Sequence, residues 1–200
     1  MGYHRAGFDV VGVDLKPQPH YPFEFHRGDA MTWPLEGFDA IHASPPCQGY
    51  SRTRHLPWLR DREPPPLLVR PLAERLWATT AALWVIENVE DAWRNPDGTV
   101  EMPYSTVLCG QNLGVPVYRH RRFLSSFLIL APPHRKHDRT ISPGRTFGGR
   151  GRMSSWERGI RMPEAMGCPW MTQHEVSQAI PPAYTEFIGR QLIEQIEAAA

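Results

Sequence analysis

Short apolar runs separated by polar, proline-rich stretches dominate the chain and predict a layered α/β fold. The runs with the composition of buried strands are residues 10–14, 38–43, 83–89 and 123–130. Between the second and third runs, leucines at positions 68, 72 and 76 recur at helical spacing, which predicts a helix within residues 67–82. A strand, a helix and a second strand in this order predict a parallel crossover.

The two ends of the chain and one internal segment also have helical patterns. Near the N-terminus, residues 2–8 are typical of a helix end closed by Gly7. Residues 106–113 predict a short helix closed by Gly114. The C-terminal segment has an apolar stripe that predicts a packing helix, formed by Tyr184, Phe187, Ile188, Leu192, Ile193 and Ile196.

Three predicted strands end in side chains capable of chemistry. Cys47 follows two prolines that fix an extended backbone, although a lone cysteine is more often a small buried hydrophobic residue. Glu87 lies near the end of an apolar strand, where a carboxylate is costly to bury unless something binds it. Asp14 ends the first strand as a ribose contact or, equally well, a turn former, and Asp29 is a helix cap or an adenine contact.

Composition restricts the class of protein. The chain has 200 residues and a formal net charge of +1, which allows one well-packed domain without an overall basic field. Its three cysteines are far apart and odd in number, which predicts a reducing, cytoplasmic location and no disulfide framework. No apolar run reaches the roughly 20 residues of a membrane span, so we expect no membrane partner.

Residues 131–160 are the compositional outlier. Phe147 and Trp156 are interleaved with basic side chains, namely Arg135, Lys136, Arg139, Arg145, Arg150 and Arg152. A basic loop with aromatic residues suits a nucleic-acid backbone, and a solvated loop explains it equally well. His134 and His137 have no obvious further ligands along the sequence, so we predict solvated histidines and no metal site.

Taken in order, several short motifs resemble those of the cytosine-C5 DNA methyltransferases. The strongest matches are Pro45-Pro46-Cys47-Gln48 and Glu87-Asn88-Val89, supported by Arg119-x-Arg121 before Phe123 and by Gln178-Ala179-Ile180-Pro181-Pro182. Residues 6–14 match the stretch after that family's glycine-rich cofactor loop. The resemblance covers nearly the whole chain. It implies a Rossmann-like S-adenosylmethionine-dependent methyltransferase sheet, with helices on both faces and the first strand missing.

The resemblance implies a catalytic core at residues 1–130, a short basic target-recognition region at 131–160 and a return to the core at 161–200. Cys47 would add to C6 of a flipped-out cytosine, Glu87 would hold its N3 and N4 edge, and Arg119 and Arg121 would support both. The implied cofactor contacts are Asp14, Asp29, Pro45, Gln178 and Ala179. The implied nucleic-acid contacts are Gln48, Ser51, Arg52, Arg135, Lys136, Arg145, Arg150 and Arg152.

The sequence departs from the family in three respects. The opening strand and the Phe-x-Gly-x-Gly-Gly loop are absent, Val117 and Gln178 stand where Gln and Asn are frequent, and the recognition region is very short. We therefore expect a small monomeric enzyme of phage or mobile-element type, either restriction-linked or solitary. RNA as substrate and a non-catalytic nucleic-acid-binding remnant are the alternatives. A cysteine hydrolase with His42 or His55 as its base is a weaker one.

Overall fold

The computed structural model describes residues 1–51, 66–79, 82–93, 105–117, 119–134, 136–137 and 162–199. The chain divides into two compact units that interleave along the sequence. Unit 1 comprises residues 1–33, 109–119 and 132–200, and unit 2 comprises residues 34–108 and 120–131. Each unit contains helices and strands, so the protein is mixed α/β.

The described strands have four to six residues, and the described α-helices have five to 18 residues. The strands are β1 (Val11–Asp14), β2 (Glu24–Arg27), β3 (Ala40–Ala43), β4 (Leu83–Asn88), β5 (Ser105–Leu108) and β6 (Arg121–Ser125). The α-helices are α1 (Gly2–Ala6), α2 (Val69–Thr79), α3 (Met162–Met166), α4 (Gln173–Gln178) and α5 (Pro182–Ala199). There are also 3-10 helices at Glu90–Trp93 and Gly110–Leu113. Among the described residues, no helix is both long and apolar enough to cross a membrane.

Unit 2 is built on a four-stranded mixed sheet with the strand order β3-β4-β6-β5. Strands β3 and β4 pair in parallel, with Ala43 opposite Ile86, and α2 lies between them in sequence. The predicted strand–helix–strand crossover is therefore confirmed. Strand β6 runs antiparallel to both of its neighbours, β4 and β5.

Burial of β4 explains why its sequence is almost continuously apolar. Trp84, Val85 and Ile86 are at most 1% exposed, as expected for a strand covered on both faces. Helix α2 turns its buried residues, including Leu72 and Leu76, inwards and contacts β4. The leucine spacing thus correctly predicted the buried face of α2.

Unit 1 contains a two-stranded parallel sheet, β1-β2, and a close packing of α1 against α5. Helix α1 ends at Gly7, which has a φ of 111° and lies in the left-handed region that glycine adopts without strain. This confirms the predicted closure by Gly7. The predicted C-terminal packing helix is also confirmed, since Tyr184, Ile188 and Leu192 of α5 are buried.

The predicted helix over residues 106–113 is wrong in its first half. Residues 105–108 form β5, and the 3-10 helix begins at Gly110 and ends before the left-handed Gly114. Pairing with β6 places Thr106 opposite Phe123, so the segment gains the ladder hydrogen bonds of a sheet edge. The β-branched Thr106 and Val107 favour this extended conformation once a neighbouring strand is available.

Gly189 provides a test of the α1–α5 packing. A Cβ atom at this position would lie 2.8 Å from the Cβ of Ala6 and 3.0 Å from the Cδ1 of Tyr3. Glycine-to-alanine changes inside helices usually stabilise by about 1 kcal/mol. Here we expect Gly189→Ala to lower the free energy of unfolding by about 1–3 kcal/mol, because overpacking outweighs helix propensity.

Urea denaturation followed by circular dichroism measures this change. Gln195→Ala, at an exposed position of the same helix, serves as the control and is expected to stay within about 0.5 kcal/mol of the wild type. A Gly189→Ala protein as stable as the control would show that α1 does not pack closely against α5.

Candidate active site

The loop after β3 holds Cys47 on a short, fixed turn. The carbonyl oxygen of Cys47 accepts hydrogen bonds from the backbone N–H groups of Tyr50 (3.0 Å) and Ser51 (2.9 Å). The Tyr50 hydroxyl oxygen accepts a hydrogen bond from the backbone N–H of Val69 (3.0 Å), which anchors the loop to the start of α2. Cys47 is half-buried.

Asn88 ties this loop to the carboxyl end of β4. Its Nδ2 donates a 2.9 Å hydrogen bond to the carbonyl oxygen of Pro45, and its Oδ1 accepts one from the backbone N–H of Val89. Asn88 is only 1% exposed, so its amide needs these partners. Because β3 and β4 are parallel, the loop that carries Cys47 and the end of β4 that carries Glu87 share one edge of the sheet.

Glu87 forms a mostly buried ion pair with Arg121 at this edge. The Nε of Arg121 lies 3.0 Å from the Oε1 of Glu87, and the carboxylate side chain is 9% exposed. Arg121 is the first residue of β6, whose antiparallel pairing with β4 places Phe123 opposite Glu87. The Nη1 of Arg121 also donates to the carbonyl oxygen of His120 (2.7 Å). The guanidinium therefore holds the carboxylate in one orientation.

His42 is the described histidine nearest to Cys47 in sequence. Burial lowers the pKa of His42 to about 4. Its Nε2 lies 3.1 Å from the Oγ of Ser44. A general base works best with a pKa near the working pH, so His42 is poorly suited to activate a thiol at neutral pH.

Arg119 belongs to unit 1, where it joins two helices. Its Nη2 donates a 2.7 Å hydrogen bond to the carbonyl oxygen of Ser177 in α4. Its own carbonyl oxygen accepts a hydrogen bond from the hydroxyl of Tyr184 in α5. The side chain and backbone of Arg119 thus bind the segments that carry Gln178 and the start of α5.

The two acidic cofactor candidates of unit 1 have local hydrogen bonds. Asp14, at the end of β1, accepts hydrogen bonds from the backbone N–H of Lys16 (2.8 Å) and the Nε2 of Gln18 (3.2 Å). Asp29 accepts one from the backbone N–H of Met31 (2.9 Å). Both carboxylates therefore stabilise turns, as the alternative interpretation of Asp14 predicted. A carboxylate has about four acceptor positions, so further donors such as ribose hydroxyls are compatible with this role.

Gln178 and Ala179 lie at the end of α4, whose start is fixed by a capping box. The Thr172 hydroxyl accepts from the backbone N–H of Glu175, and the Glu175 carboxylate accepts from the backbone N–H of Thr172. His20 also contacts Glu175, with Nδ1 2.8 Å from Oε1. Hydrogen bonds to His20 and Thr172 lower the pKa of Glu175 to about 2. The capping box therefore fixes the first turn of α4, and Gln178 lies at the opposite end of this helix.

The remaining predicted nucleic-acid contacts are only partly described. Gln48 and Lys136 are exposed, and Ser51 is half-buried beside the Cys47 turn. The others lie outside the described residues, namely Arg52, Arg135, Arg145, Arg150 and Arg152, together with His55. Sequence analysis gave no role to Tyr50 or Asn88, because the hydrogen bonds that fix the loop join residues far apart in sequence.

Comparisons of the chain with protein-family models, with curated proteins and with solved structures gave no match.

Arg121→Met tests the ion pair with Glu87. Removing one partner of a buried ion pair typically costs about 3–5 kcal/mol, and partial exposure of this pair places the expected loss at the lower end. We expect the difference from the wild type to shrink as the pH falls, because protonation removes the negative charge left on Glu87. Urea denaturation at a series of pH values measures both effects. A loss that does not change with pH would contradict the ion-pair explanation.

Glu175→Gln tests the charge in the capping box. The folded-state pKa of about 2 lies below the usual value, so the carboxylate stabilises the fold above pH 4.3 or so and loses this effect as the pH falls towards 2. We expect the variant to melt below the wild type near neutral pH, and the two melting temperatures to converge over that acidic range. Glu194→Gln, at an exposed position of α5, is the control. A constant difference at all pH values would contradict the assignment.

Proposed function

We propose that the chain is an S-adenosylmethionine-dependent cytosine-C5 methyltransferase that acts on DNA. The observation that carries the proposal is the edge of the unit 2 sheet, where Asn88 binds Pro45 and thereby joins the Cys47 turn to the end of β4 that carries Glu87. These residues belong to the two motifs with the strongest resemblance to that family. A thiol and a fixed carboxylate are the groups that the reaction requires.

The finer fold assignment is part of the same proposal. The mixed sheet, with its parallel β3–α2–β4 crossover, is compatible with a Rossmann-like methyltransferase core. The position of Cys47 supports it further, because open α/β folds place their chemistry beyond the carboxyl ends of parallel strands.

In the proposed mechanism, the thiolate of Cys47 forms a bond to C6 of the cytosine, and the C5–C6 double bond supplies the electron pair for C5 to accept a methyl group. Bound S-adenosylmethionine would supply that methyl group as an electrophile, with S-adenosylhomocysteine as the leaving group. Water then takes the proton from C5, the electron pair of that C–H bond restores the C5–C6 double bond, and the Cys47 sulfur leaves as a thiolate. Glu87 accepts a hydrogen bond from the N4 amino group of the base and, in its protonated form, donates one to N3, which stabilises the negative charge that develops on the ring as the thiolate adds.

The surroundings of Cys47 and Glu87 suit these roles. The proline turn fixes the sulfur on a stiff segment, which limits the conformational freedom that must be lost when the base binds. Arg121 holds Glu87 by an ion pair, which limits the orientations that the carboxyl group can take. For the cofactor, Asp14 at the end of β1 has the acceptor capacity that ribose hydroxyls need.

The low pKa of His42 weighs against the cysteine hydrolase. Such an enzyme needs a histidine that accepts the proton of the thiol, whereas burial keeps His42 neutral and weakly basic at neutral pH. The methyltransferase reaction needs no histidine base at this point.

A trapping assay tests the proposal. The chain is incubated with S-adenosylmethionine and duplex DNA that contains 5-fluorocytosine, and denaturing electrophoresis detects a covalent adduct. Fluorine at C5 prevents the final proton loss, so a competent enzyme stays bonded to the base. We expect an adduct that requires the cofactor and is lost in Cys47→Ser.

Cys168→Ala is the matched control. Burial raises the pKa of the Cys168 thiol to about 11, so this cysteine remains protonated and should contribute nothing to trapping. A parallel reaction with structured RNA distinguishes the two possible substrates. An adduct that persists in Cys47→Ser would refute the role of Cys47. The absence of any adduct with either nucleic acid would favour a non-catalytic nucleic-acid-binding protein.

A further inference from the structure

In unit 1, Cys109 and two histidines bring three metal-binding atoms together. The Nε2 of His137 lies 3.4 Å from the Sγ of Cys109 and 3.2 Å from the Nε2 of His134. All three atoms lie within 4.8 Å of one another. Sequence analysis did not find this cluster, because Cys109 is 28 residues from His137 and its segment carries no metal-binding motif.

Two hydrogen bonds hold the segments that carry these ligands. Cys109 is 1% exposed and precedes the 3-10 helix Gly110–Leu113, and its carbonyl oxygen accepts from the backbone N–H of Asn112. The Nδ2 of Asn112 donates a 3.0 Å hydrogen bond to the carbonyl oxygen of Pro133, next to His134. The same asparagine therefore binds both the cysteine segment and the histidine segment.

Hydrogen bonding alone satisfies this arrangement poorly. An imidazole nitrogen has one in-plane direction, which holds either its proton or its lone pair. The Nε2 of His137 nevertheless faces both a sulfur and a second ring nitrogen at close range. A cation bound among the three atoms would interact with all of their lone pairs at once.

The separations match those of a tetrahedral zinc site. With Zn–S bonds of about 2.3 Å and Zn–N bonds of about 2.0–2.1 Å, two ligating nitrogens lie about 3.3 Å apart, and a sulfur and a nitrogen about 3.6 Å apart. The structure has 3.2 Å between the two nitrogens and 3.4 Å between the sulfur and the nitrogen of His137. Two of the three separations thus already match those of a coordinated ion, and the ligand atoms of Cys109 and His134 lie within 4.8 Å of each other.

We propose that Cys109, His134 and His137 bind a zinc ion. One thiolate and two imidazoles form a donor set that zinc prefers, whereas calcium and magnesium require oxygen ligands. The ion fastens the histidine segment to the 3-10 helix, and its binding is independent of the proposed methyltransferase reaction.

Metal analysis of the purified chain tests this site. After equilibration with zinc and removal of the unbound ion, we expect one zinc per chain by mass spectrometry. Substitution with cobalt should give the visible absorption of a tetrahedral site and a sulfur-to-cobalt charge-transfer band. Because Cys109 is buried, a separate variant, His134→Ala, is measured beside Cys109→Ser, since His134 is an exposed side chain.

We expect each of these variants, and His137→Ala, to bind zinc at least about 10–100-fold more weakly than the wild type. Mutation of residues that only orient metal ligands already weakens binding by this factor, so loss of a ligand itself should weaken it at least as much. Cys109→Ser should also lose the charge-transfer band. The controls are His174→Ala, at an exposed histidine of the same unit, and Cys47→Ser, and both should retain one zinc. The proposal would be overturned if the wild-type protein contained no zinc above background. It would also be overturned if His134→Ala and His137→Ala folded and bound zinc as tightly as the wild type. Neither result bears on trapping by Cys47.

Discussion

The hydrogen bond from Asn88 to Pro45 is the interaction on which the candidate site depends. Asn88 lies at the end of the buried strand β4, where an unsatisfied amide would cost about 1–3 kcal/mol. The segment that it binds contains two prolines, which supply carbonyl acceptors but no N–H donors. A buried donor and a donor-poor loop are therefore complementary. Their pairing determines where the Cys47 turn begins relative to Glu87.

The position of β6 is a second requirement of the site. Glu87 would be a costly buried charge without a cation, and Arg121 reaches it only because β6 lies directly beside β4. An arginine at the start of an antiparallel strand meets the carboxyl end of its neighbour. The antiparallel strand in an otherwise parallel arrangement thus has a chemical consequence, since it brings the basic Arg121 to the edge where β3 and β4 end.

Local sequence patterns correctly predicted those helices and strands whose hydrophobic spacing or end residues lie within the element itself. The leucines of α2, the apolar run of β4, Gly7 after α1 and the stripe of α5 were all identified, because burial dictates their spacing. Strand β5 was mistaken for helix, and the polar strand β2 (Glu24–Arg27) was not predicted, since both depend on a neighbouring strand for their hydrogen bonds. For the site, strand ends indicated Cys47 and Glu87, whereas the contacts that orient them could not be derived from spacing.

The three cysteines show why composition alone does not assign chemistry. Their odd number and wide spacing predict no disulfide framework, but they do not distinguish one cysteine from another. In the structure, Cys47 is half-buried on a proline turn, Cys109 lies beside two histidines, and burial raises the pKa of Cys168 to about 11. A thiol becomes a nucleophile, a metal ligand or an inert packing group according to what surrounds its sulfur. Each environment here is made by residues distant in sequence, so the fold, not the spacing of the cysteines, separates their roles.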